Sequence, residues 1–484
     1  MLAFTPFLVP ICLVFGLLCL RGIYYRLTNP VAHLPGPEVS KWTDLVYLYY
    51  WFSGKVPYYV HNLHERYGPV VRTSTSQVDI CDVDAAREIH KTNTRFMKSQ
   101  FYEFLVAKGF QSMFNTADPK FHSVRRRLLA TPISDSSLSK MEPLVSSRVH
   151  LAVDKISEEM ESRGAADVFK WWLFMASDII GELSFGESFR MLESGEKNQY
   201  TKDLEAISGL QPIRTTFPNM VAIARYLPLP IFRQAGATAN RMVTYAMQSI
   251  DRYAKYLEEN PENPRQTLFT KALDEKSGMS RQDIRQEAQG YIVAGSDTTA
   301  VTLTYLVYSV CQDPRIQQCL TAELATLTEP ISDKILRDLP YLNNLINETL
   351  RLHTAVPFGL PRAVPIGGAT LKDTFIPGGT VVSTQSYSLH RDPSIFPDPN
   401  RFYPERWENP TKDMKDASLP FGGGSRICIG IHLARMELRL ATALFFRRFP
   451  KAFVSSNEGM CDDDMIMKAF FLSAPKGHRC LIQV

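Results

Sequence analysis

The chain has 484 residues, of which 45% are hydrophobic and 21% are charged, and it carries a formal net charge of +4 at pH 7. This composition is ordinary for a globular protein with a large buried core, and the charge is too small to indicate a nucleic-acid partner. The eight cysteines form no CxxC pair and no regular spacing, which argues against a disulfide framework or a structural zinc site and favours a reducing compartment.

The N-terminus predicts a membrane anchor. The first twenty residues carry no charge, and Arg21 and Arg26 follow them. A run of about 20 apolar residues is long enough to cross a bilayer as a helix. The alternative is a cleaved signal peptide, but the run lacks a basic n-region and a small-x-small cleavage site. We therefore predict a transmembrane helix over residues 1–22, with the rest of the chain on the cytoplasmic side.

A hinge is predicted over residues 23–40, because Pro35 and Pro37 flank Gly36 and stop a helix there. No later segment resembles another linker, and the chain contains no repeat or low-complexity tract. We therefore expect residues 41–484 to form the catalytic domain.

The predicted elements of that domain are mainly helices. Residues 69–82 are rich in Val, Thr and Ile and predict two short strands. Apolar residues recur at helical spacing from Leu138 to Met160 and predict an amphipathic helix that ends at Gly164. Glycine pairs punctuate short β-like runs over 363–389, which predict a small sheet. A helix follows over 431–449 and ends before a proline.

The longest predicted helix runs from Ser280 to Gln312. Ser280 and Asp283 can form its capping box, and Pro314 ends it. At a rise of ~1.5 Å per residue the helix is about 48 Å long, which is enough to cross a whole domain.

The segment 421–430, FGGGSRICIG, brings Cys428 to the start of the last predicted helix. A helix N-terminus stabilises a thiolate, and glycines let the backbone bend and approach a flat ligand. The alternative is a buried cysteine that acts as a small hydrophobe.

The spacing decides between these interpretations, because it resembles the cysteine signature of the cytochrome P-450 family. Phe421, Gly424, Arg426, Cys428 and Gly430 fill the five signature positions. The resemblance implies a cytochrome P-450 fold, mainly α with a minor β-sheet. It also implies haem b as cofactor, with the Cys428 thiolate as axial ligand to iron.

A second match to the family lies upstream of this loop. Glu348 and Arg351 are three residues apart on a predicted helix, and Arg406 lies in the downstream segment Pro404–Trp407. Taken alone, the Glu–Arg pair would be a surface ion pair. The resemblance implies a buried structural cluster of Glu348, Arg351 and Arg406.

A third match, Ala294–Thr299, interrupts the long helix with residues that are poor helix formers. The Thr298 hydroxyl can donate to the carbonyl of Ala294 and open a polar notch beside Gly295, where a diatomic ligand could lie. The resemblance implies that Thr298 and Asp297 are the alcohol and the acid of a proton relay. The alternative is an exposed polar patch.

A fourth match concerns the carboxylates of the cofactor. The family often has Trp four residues before an arginine, and this chain has His122 before Arg126, flanked by Arg125 and Arg127. By resemblance His122, Arg126, Arg362 and Arg426 are the expected partners of the haem propionates, since guanidinium groups bind carboxylates in bidentate fashion.

The implied function is insertion of one oxygen atom from O2 into a lipophilic substrate, in a fungal secondary-metabolite pathway such as one for a terpenoid or polyketide. The alternatives are a haem-thiolate isomerase or dehydratase and a non-catalytic haem sensor. The implied electron donor is NADPH–cytochrome P-450 reductase at the endoplasmic reticulum membrane, with or without cytochrome b5. No nucleic-acid partner is expected. The candidate docking face for the reductase consists of Arg125, Arg127, Arg435 and Arg439, and the alternative is a solvated helix face.

The substrate pocket can be located only by analogy with the family. The expected segments are 101–110, the long helix near Tyr291, 356–360 and 470–472. They are apolar and aromatic, which favours a lipophilic substrate, although a packed core has the same composition.

Overall fold

Helices form most of the structure, a computed structural model that describes residues 5–106, 109–224, 230–262 and 265–484. In these residues the α-helices are α1 (Thr5–Thr28), α2 (Leu45–Phe52), α3 (Val56–Tyr67), α4 (Val83–His90), α5 (Phe101–Phe104), α6 (Pro119–Ala130), α7 (Asp135–Arg163), α8 (Val168–Phe185), α9 (Met191–Ser194), α10 (Gln199–Ser208), α11 (Gln211–Thr216), α12 (Pro218–Ala224), α13 (Pro230–Glu259), α14 (Arg281–Gln312), α15 (Pro314–Ala325), α16 (Asp333–Leu336), α17 (Pro340–Leu352), α18 (Ser386–Leu389), α19 (Lys412–Ala417) and α20 (Ile431–Arg448).

The strands are short and form small sheets. They are β1 (Val70–Arg72), β2 (Gln77–Ile80), β3 (Met97–Lys98), β4 (Ala166–Asp167), β5 (Arg362–Ala363), β6 (Ala369–Leu371), β7 (Thr374–Ile376), β8 (Val381–Ser383), β9 (Phe453–Val454), β10 (Met467–Phe470), β11 (Leu472–Pro475) and β12 (Leu481–Gln483). The largest sheet has the order β1-β2-β8-β5-β3, and its only parallel pair, within the described chain, is β2 and β8.

The long elements lie where the sequence predicts them. Helix α7 ends at Arg163, and Gly164 takes the left-handed conformation at φ 80° that a helix C-terminus often requires. Helix α14 begins with the predicted capping box of Ser280 and Asp283. The β prediction for 363–389 is wrong at its end, because Ser386–Leu389 is helical and its side chains are buried against the core.

Helix α14 forms the centre of the core. It packs along α8, nearly all of whose residues are buried, and it also contacts α20 and α13. This arrangement places the middle of α14, with Ala294–Thr299, close to the helix that follows the cysteine loop.

The N-terminal helix α1 continues to Thr28, so the extended linker is shorter than the predicted hinge over 23–40. The linker is also fixed rather than free. The buried Arg72 guanidinium donates to the carbonyl of Pro37 at 3.0 Å, and a Cβ on Gly36 would lie 2.5 Å from the Arg72 carbonyl oxygen.

Within the described residues, no helix is long and apolar enough to cross a membrane. The transmembrane helix over residues 1–22 therefore stays a prediction, and residues 1–4 of it lie outside the described residues.

Candidate functional site

The cysteine loop ends directly at α20. Gly430 is the N-cap residue of that helix, and Cys428 lies two residues earlier. The Cys428 N–H donates to the Phe421 carbonyl at 2.9 Å, which closes the loop on itself. Gly424 has φ 56°, and a Cβ there would lie 1.8 Å from the His90 carbonyl oxygen on α4. Only glycine therefore fits at position 424 without moving the backbone.

The Cys428 side chain has accessible surface, yet protein surrounds it closely enough that burial raises the pKa of its thiol. It therefore faces an interior space rather than the outer surface. The Gly430 N–H and the charge of Arg126 oppose this rise in the pKa. Both interactions favour a thiolate at this position, as the helix N-terminus also does.

A cluster of four basic side chains and one histidine, called the cationic cluster below, lies beside this interior space. It consists of Lys98, His122, Arg126, Arg362 and Arg426. Within the described chain none of the five forms an ion pair with an acidic side chain. Burial, reinforced by the four cations, lowers the pKa of His122 to about 3.

The cationic cluster fits a dianionic cofactor. The Nε of Arg362 is buried without a hydrogen-bond partner, and Arg426 donates to the Thr116 carbonyl at 3.0 Å. Arg126 donates to the Ile427 carbonyl at 2.8 Å, which joins the cluster to the residue before Cys428. Buried cations without counter-ions are costly, and the two carboxylates of haem b would supply them.

Sequence reasoning missed Lys98. Its ammonium donates to the Phe114 carbonyl and lies 4.3 Å from the centre of the Tyr102 ring. Burial, with the charges of Arg362 and Arg426, lowers its pKa well below the ordinary value. No motif marks this lysine, because the two arginines that share its site, Arg362 and Arg426, are more than two hundred residues away in sequence.

The middle of α14 has the predicted backbone geometry at Thr298, whose hydroxyl donates to the Ala294 carbonyl at 2.7 Å. Ala294 is exposed although it lies in the middle of a core helix, so this face is open to the interior. Gly295 has a packing role, because a Cβ there would lie 2.9 Å from Cγ1 of Ile180 on α8. Its predicted place beside a diatomic ligand stays a prediction.

Asp297 lies near the charged side chains of Glu205 and Lys197. Burial raises the pKa of its carboxyl to about 6, with Glu205 adding to the rise and Lys197 opposing it. A carboxyl with this pKa exchanges protons readily near neutral pH, as a relay requires.

Sequence reasoning also missed a second acid–alcohol pair. The Thr299 hydroxyl donates to Glu437 of α20 at 2.9 Å, and both side chains are buried. Burial raises the pKa of Glu437 to about 8, so this carboxyl carries a proton at neutral pH. The pair joins the helix that follows the cysteine loop to the helix that carries Thr298.

The predicted Glu–Arg–Arg residues are brought together. Arg351 forms two hydrogen bonds of 2.8 Å to Glu348, and Arg406 forms one of 3.0 Å. Burial acts to raise the pKa of Glu348, but the hydrogen bond from Arg351 and the two guanidinium charges outweigh it and hold the pKa below its ordinary value. Trp407 also donates to this carboxylate at 3.0 Å.

His390 connects the cluster to the cysteine loop. The Leu419 N–H donates to Nε2 of His390 at 2.9 Å, so Nδ1 must carry the ring proton and donate to the Arg351 carbonyl at 2.8 Å. Burial lowers the pKa of His390 to about 3, which keeps the ring neutral and leaves Nε2 free to accept. The Leu419 carbonyl in turn accepts a hydrogen bond from the N–H of Gly422, the second residue of the cysteine loop.

The predicted docking face for the reductase is wrong in two of its four residues. Arg125 is buried and pairs with Asp283 at 2.9 Å, and Arg439 is buried and pairs with Asp333 at 2.7 Å. Of the remaining two, Arg127 is exposed and Arg435 is half-buried. The residue spacing did not reveal that α6 and α20 turn these charges inward.

Three of the predicted pocket segments meet. Phe101 stacks on Phe358 with ring centres 6.2 Å apart, and Phe471 lies 6.1 Å from Phe101. Tyr291 of the long helix instead packs against Phe269, at 5.3 Å. Residues 107 and 108 of the predicted segment 101–110 lie outside the described residues.

The chain belongs to the cytochrome P450 family, because the model of that family matches residues 36–480. Members of the family hold haem b on a cysteine thiolate.

The chain is similar to several fungal proteins over nearly its whole length. It is 54% identical to cytochrome P450 monooxygenase tazI of Aspergillus terreus, with 96% of each chain covered. It is 46% identical to cytochrome P450 monooxygenase orf2 of Aspergillus niger, again with 96% of each chain covered. Cytochrome P450 monooxygenase stcB of Emericella nidulans is 36% identical, with 94% of this chain and 88% of stcB covered.

We expect His390→Phe to weaken both the fold and the retention of haem. The phenyl ring leaves the buried Leu419 N–H without an acceptor and the Arg351 carbonyl without the ring donor, so the free energy of unfolding should fall by about 2–4 kcal/mol. Urea unfolding and the haem content of the purified protein measure the two effects.

The matched control is His353→Phe. His353 is also a neutral histidine, and its Nε2 has one long contact of 3.4 Å to the Ser309 hydroxyl, but its ring stacks on Tyr305 at 4.5 Å, a contact that phenylalanine retains. Its effect should stay below about 1.5 kcal/mol, with haem content unchanged. Equal losses in both variants would contradict the link between His390 and the cysteine loop.

Proposed function

We propose that this chain is a haem-dependent monooxygenase of fungal secondary metabolism. It inserts one oxygen atom from O2 into a lipophilic substrate, by hydroxylation, epoxidation or a related oxidation. The observation that carries the proposal is the placement of Cys428 at the N-terminus of α20, in an interior space beside cations that pair with no acidic side chain of the described residues. Similarity to proteins that bear the name monooxygenase supports it.

Haem b on a thiolate supplies the activation of O2 and the cleavage of its O–O bond. The protein must then hold the cofactor and exclude water. Cys428 is the proposed axial ligand, and Lys98, His122, Arg126, Arg362 and Arg426 are the proposed partners of the two carboxylates.

The protein must also deliver protons in order, because one oxygen atom leaves as water. Thr298 is held on the open face of α14 by its bond to the Ala294 carbonyl and is the proposed alcohol of the relay. Asp297, with a pKa of about 6, is the proposed acid. The electrons come, in this proposal, from NADPH–cytochrome P-450 reductase, with or without cytochrome b5.

The two alternative functions differ from this one in their use of electrons. An isomerase or dehydratase rearranges an oxygenated substrate without NADPH, and a haem sensor binds its ligand without turnover. The acid–alcohol pair on α14 favours the monooxygenase, because only that reaction consumes two protons, which are needed when one oxygen atom of O2 leaves as water.

The test is turnover of the holoenzyme with NADPH and its reductase under 18O2. Apolar ligands that displace water from the haem are first selected by their spin-state shift. We expect NADPH use to rise with such a ligand and one labelled atom to enter the product. Conversion of the ligand without NADPH would establish the isomerase or dehydratase. Binding of the ligand without an oxygenated or a rearranged product would establish the sensor.

Thr298→Ala should release more peroxide per NADPH in the same assay, because the proton relay loses its alcohol while electron uptake continues. Thr304→Ala is the matched control, since the Thr304 hydroxyl donates in the same way to the Ala300 carbonyl at 2.7 Å but is fully buried. We expect a severalfold rise in peroxide for Thr298→Ala alone. Unaltered coupling in that variant would contradict the proposed role.

The chain is further proposed to be held at the endoplasmic reticulum membrane by its N-terminal helix, with the catalytic domain cytoplasmic. An exposed apolar surface next to that helix supports membrane contact. The Arg26 guanidinium of α1 lies over the Trp42 ring at 5.9 Å, and Phe52 of α2 stacks near Phe217, between α11 and α12, at 6.5 Å. The exposed side chains of this surface include Leu45, Tyr49, Met220 and Ile223.

The membrane proposal predicts that the full chain resists alkaline carbonate extraction from microsomes. The double variant Leu13→Arg, Leu17→Arg should be released, because each central charge costs about 2.5–3.5 kcal/mol in a membrane helix. Ile366→Arg changes a fully exposed apolar residue between β5 and β6 and should behave as the unmodified chain. Extraction of the unmodified chain would contradict the anchor.

A further inference from the structure

Arg214 on α11 is a half-buried cation, and no acidic side chain of the described residues pairs with it. Its Nε donates to the Phe104 carbonyl at 3.2 Å, and its Nη2 donates to the Leu105 carbonyl. Within the described chain these are the only hydrogen bonds of the guanidinium. A guanidinium has five N–H groups, so those of Nη1 and one of Nη2 have no acceptor among the described residues.

Two other arginines of the helical part of the chain are paired with acids. Arg241 of α13 forms hydrogen bonds of 2.8 and 2.6 Å to Asp203, and Arg148 of α7 pairs with Glu182 at 2.8 Å. Arg214 has no such counter-ion, and burial lowers the pKa of its guanidinium. Removing a cation from water is costly unless an anion compensates for it.

The position of Arg214 adjoins a group of aromatic side chains, which we call the aromatic wall: Trp51, Phe101, Tyr102, Phe358 and Phe471. The neighbouring residue Thr215 accepts a hydrogen bond from Nε1 of Trp51 at 3.1 Å. Arg214 itself holds the end of α5, the helix that carries Phe101 and Tyr102. The guanidinium therefore lies at one end of the wall.

The other end of the wall meets the cationic cluster. The Arg362 guanidinium lies 5.9 Å from the Tyr102 ring, and Tyr102 lies 5.8 Å from Phe101. Phe101 in turn lies 6.0 Å from Trp51. Contacts between aromatic rings thus connect the proposed cofactor site to the segment that Arg214 holds.

We propose that Arg214 binds an anionic oxygen group of the substrate, of the carboxylate type, at the end of the molecule remote from the position that is oxidised. This inference rests on the proposed function, since it names the class of substrate that the monooxygenase accepts. The two backbone carbonyls hold the guanidinium plane in place, so its free N–H groups are oriented before the ligand binds. Such orientation reduces the entropy lost on binding.

The test compares 2-naphthoate with 2-naphthamide, a neutral molecule of nearly the same shape, in equilibrium dialysis against the holoenzyme at pH 7.5. We expect the unmodified protein to prefer naphthoate about ten- to hundredfold, which is the range of a hydrogen bond to a charged group. Arg214→Gln should lose the preference. Arg214→Lys, which retains the charge, should keep part of the naphthoate preference. This variant replaces Arg214→Gln in the comparison if the Gln variant does not retain haem.

Arg241→Gln is the matched control, because Asp203 already neutralises Arg241, and it should keep the full preference. The absence of a naphthoate preference in the unmodified protein, or its persistence in Arg214→Gln, overturns the inference. So does a variant that keeps the preference but binds less well to phosphatidylserine vesicles, because the arginine would then serve the lipid surface.

Dialysis requires no electron transfer, so this result is independent of turnover. A naphthoate preference that depends on Arg214, in an enzyme that incorporates no oxygen, would refute the proposed function and leave the anion site in place. Oxygen incorporation without a naphthoate preference would support the proposed function and refute the anion site.

Discussion

The buried carboxylate of Glu348 is the centre of the hydrogen-bond network that leads to the cysteine loop. It accepts from Arg351, Arg406 and Trp407, and Arg351 in turn donates to the His390 carbonyl at 2.6 Å. His390 then accepts the Leu419 N–H that leads into the cysteine loop. Because one partner removed from a buried ion pair leaves an uncompensated charge, every member of this network fixes the others. The position of Cys428 depends on it.

The rest of the site is assembled in a way that favours a bound anionic cofactor. Five cationic or titratable side chains converge from β3, α6, β5 and the cysteine loop without acids among them in the described residues. Such a cluster opposes folding of the empty protein and is relieved by two carboxylates, so cofactor binding and stability are coupled. Arg214, at the far end of the aromatic wall, is likewise a cation that pairs with no acidic side chain of the described residues.

The sequence predicted features whose cause is local. Ser280 with Asp283 and the turn at Gly164 set helix ends through neighbouring residues, and Thr298 reaches a carbonyl only four residues away. Helix α8 was missed because it is buried on nearly all sides and so shows no amphipathic period. Lys98, His390 and Glu437 could not be found, because their partners come from distant segments. Arg125 and Arg439 were misassigned because a pattern of charges does not reveal which face of a helix is buried.

The reduced, CO-bound absorption spectrum of the unmodified protein and of Cys428→Ser tests the central claim most directly. The position of the Soret band reports whether a thiolate lies opposite CO on the iron. The account predicts a red-shifted, thiolate-type band in the unmodified protein and its loss in Cys428→Ser. A thiolate-type band that persists unchanged in Cys428→Ser would contradict it.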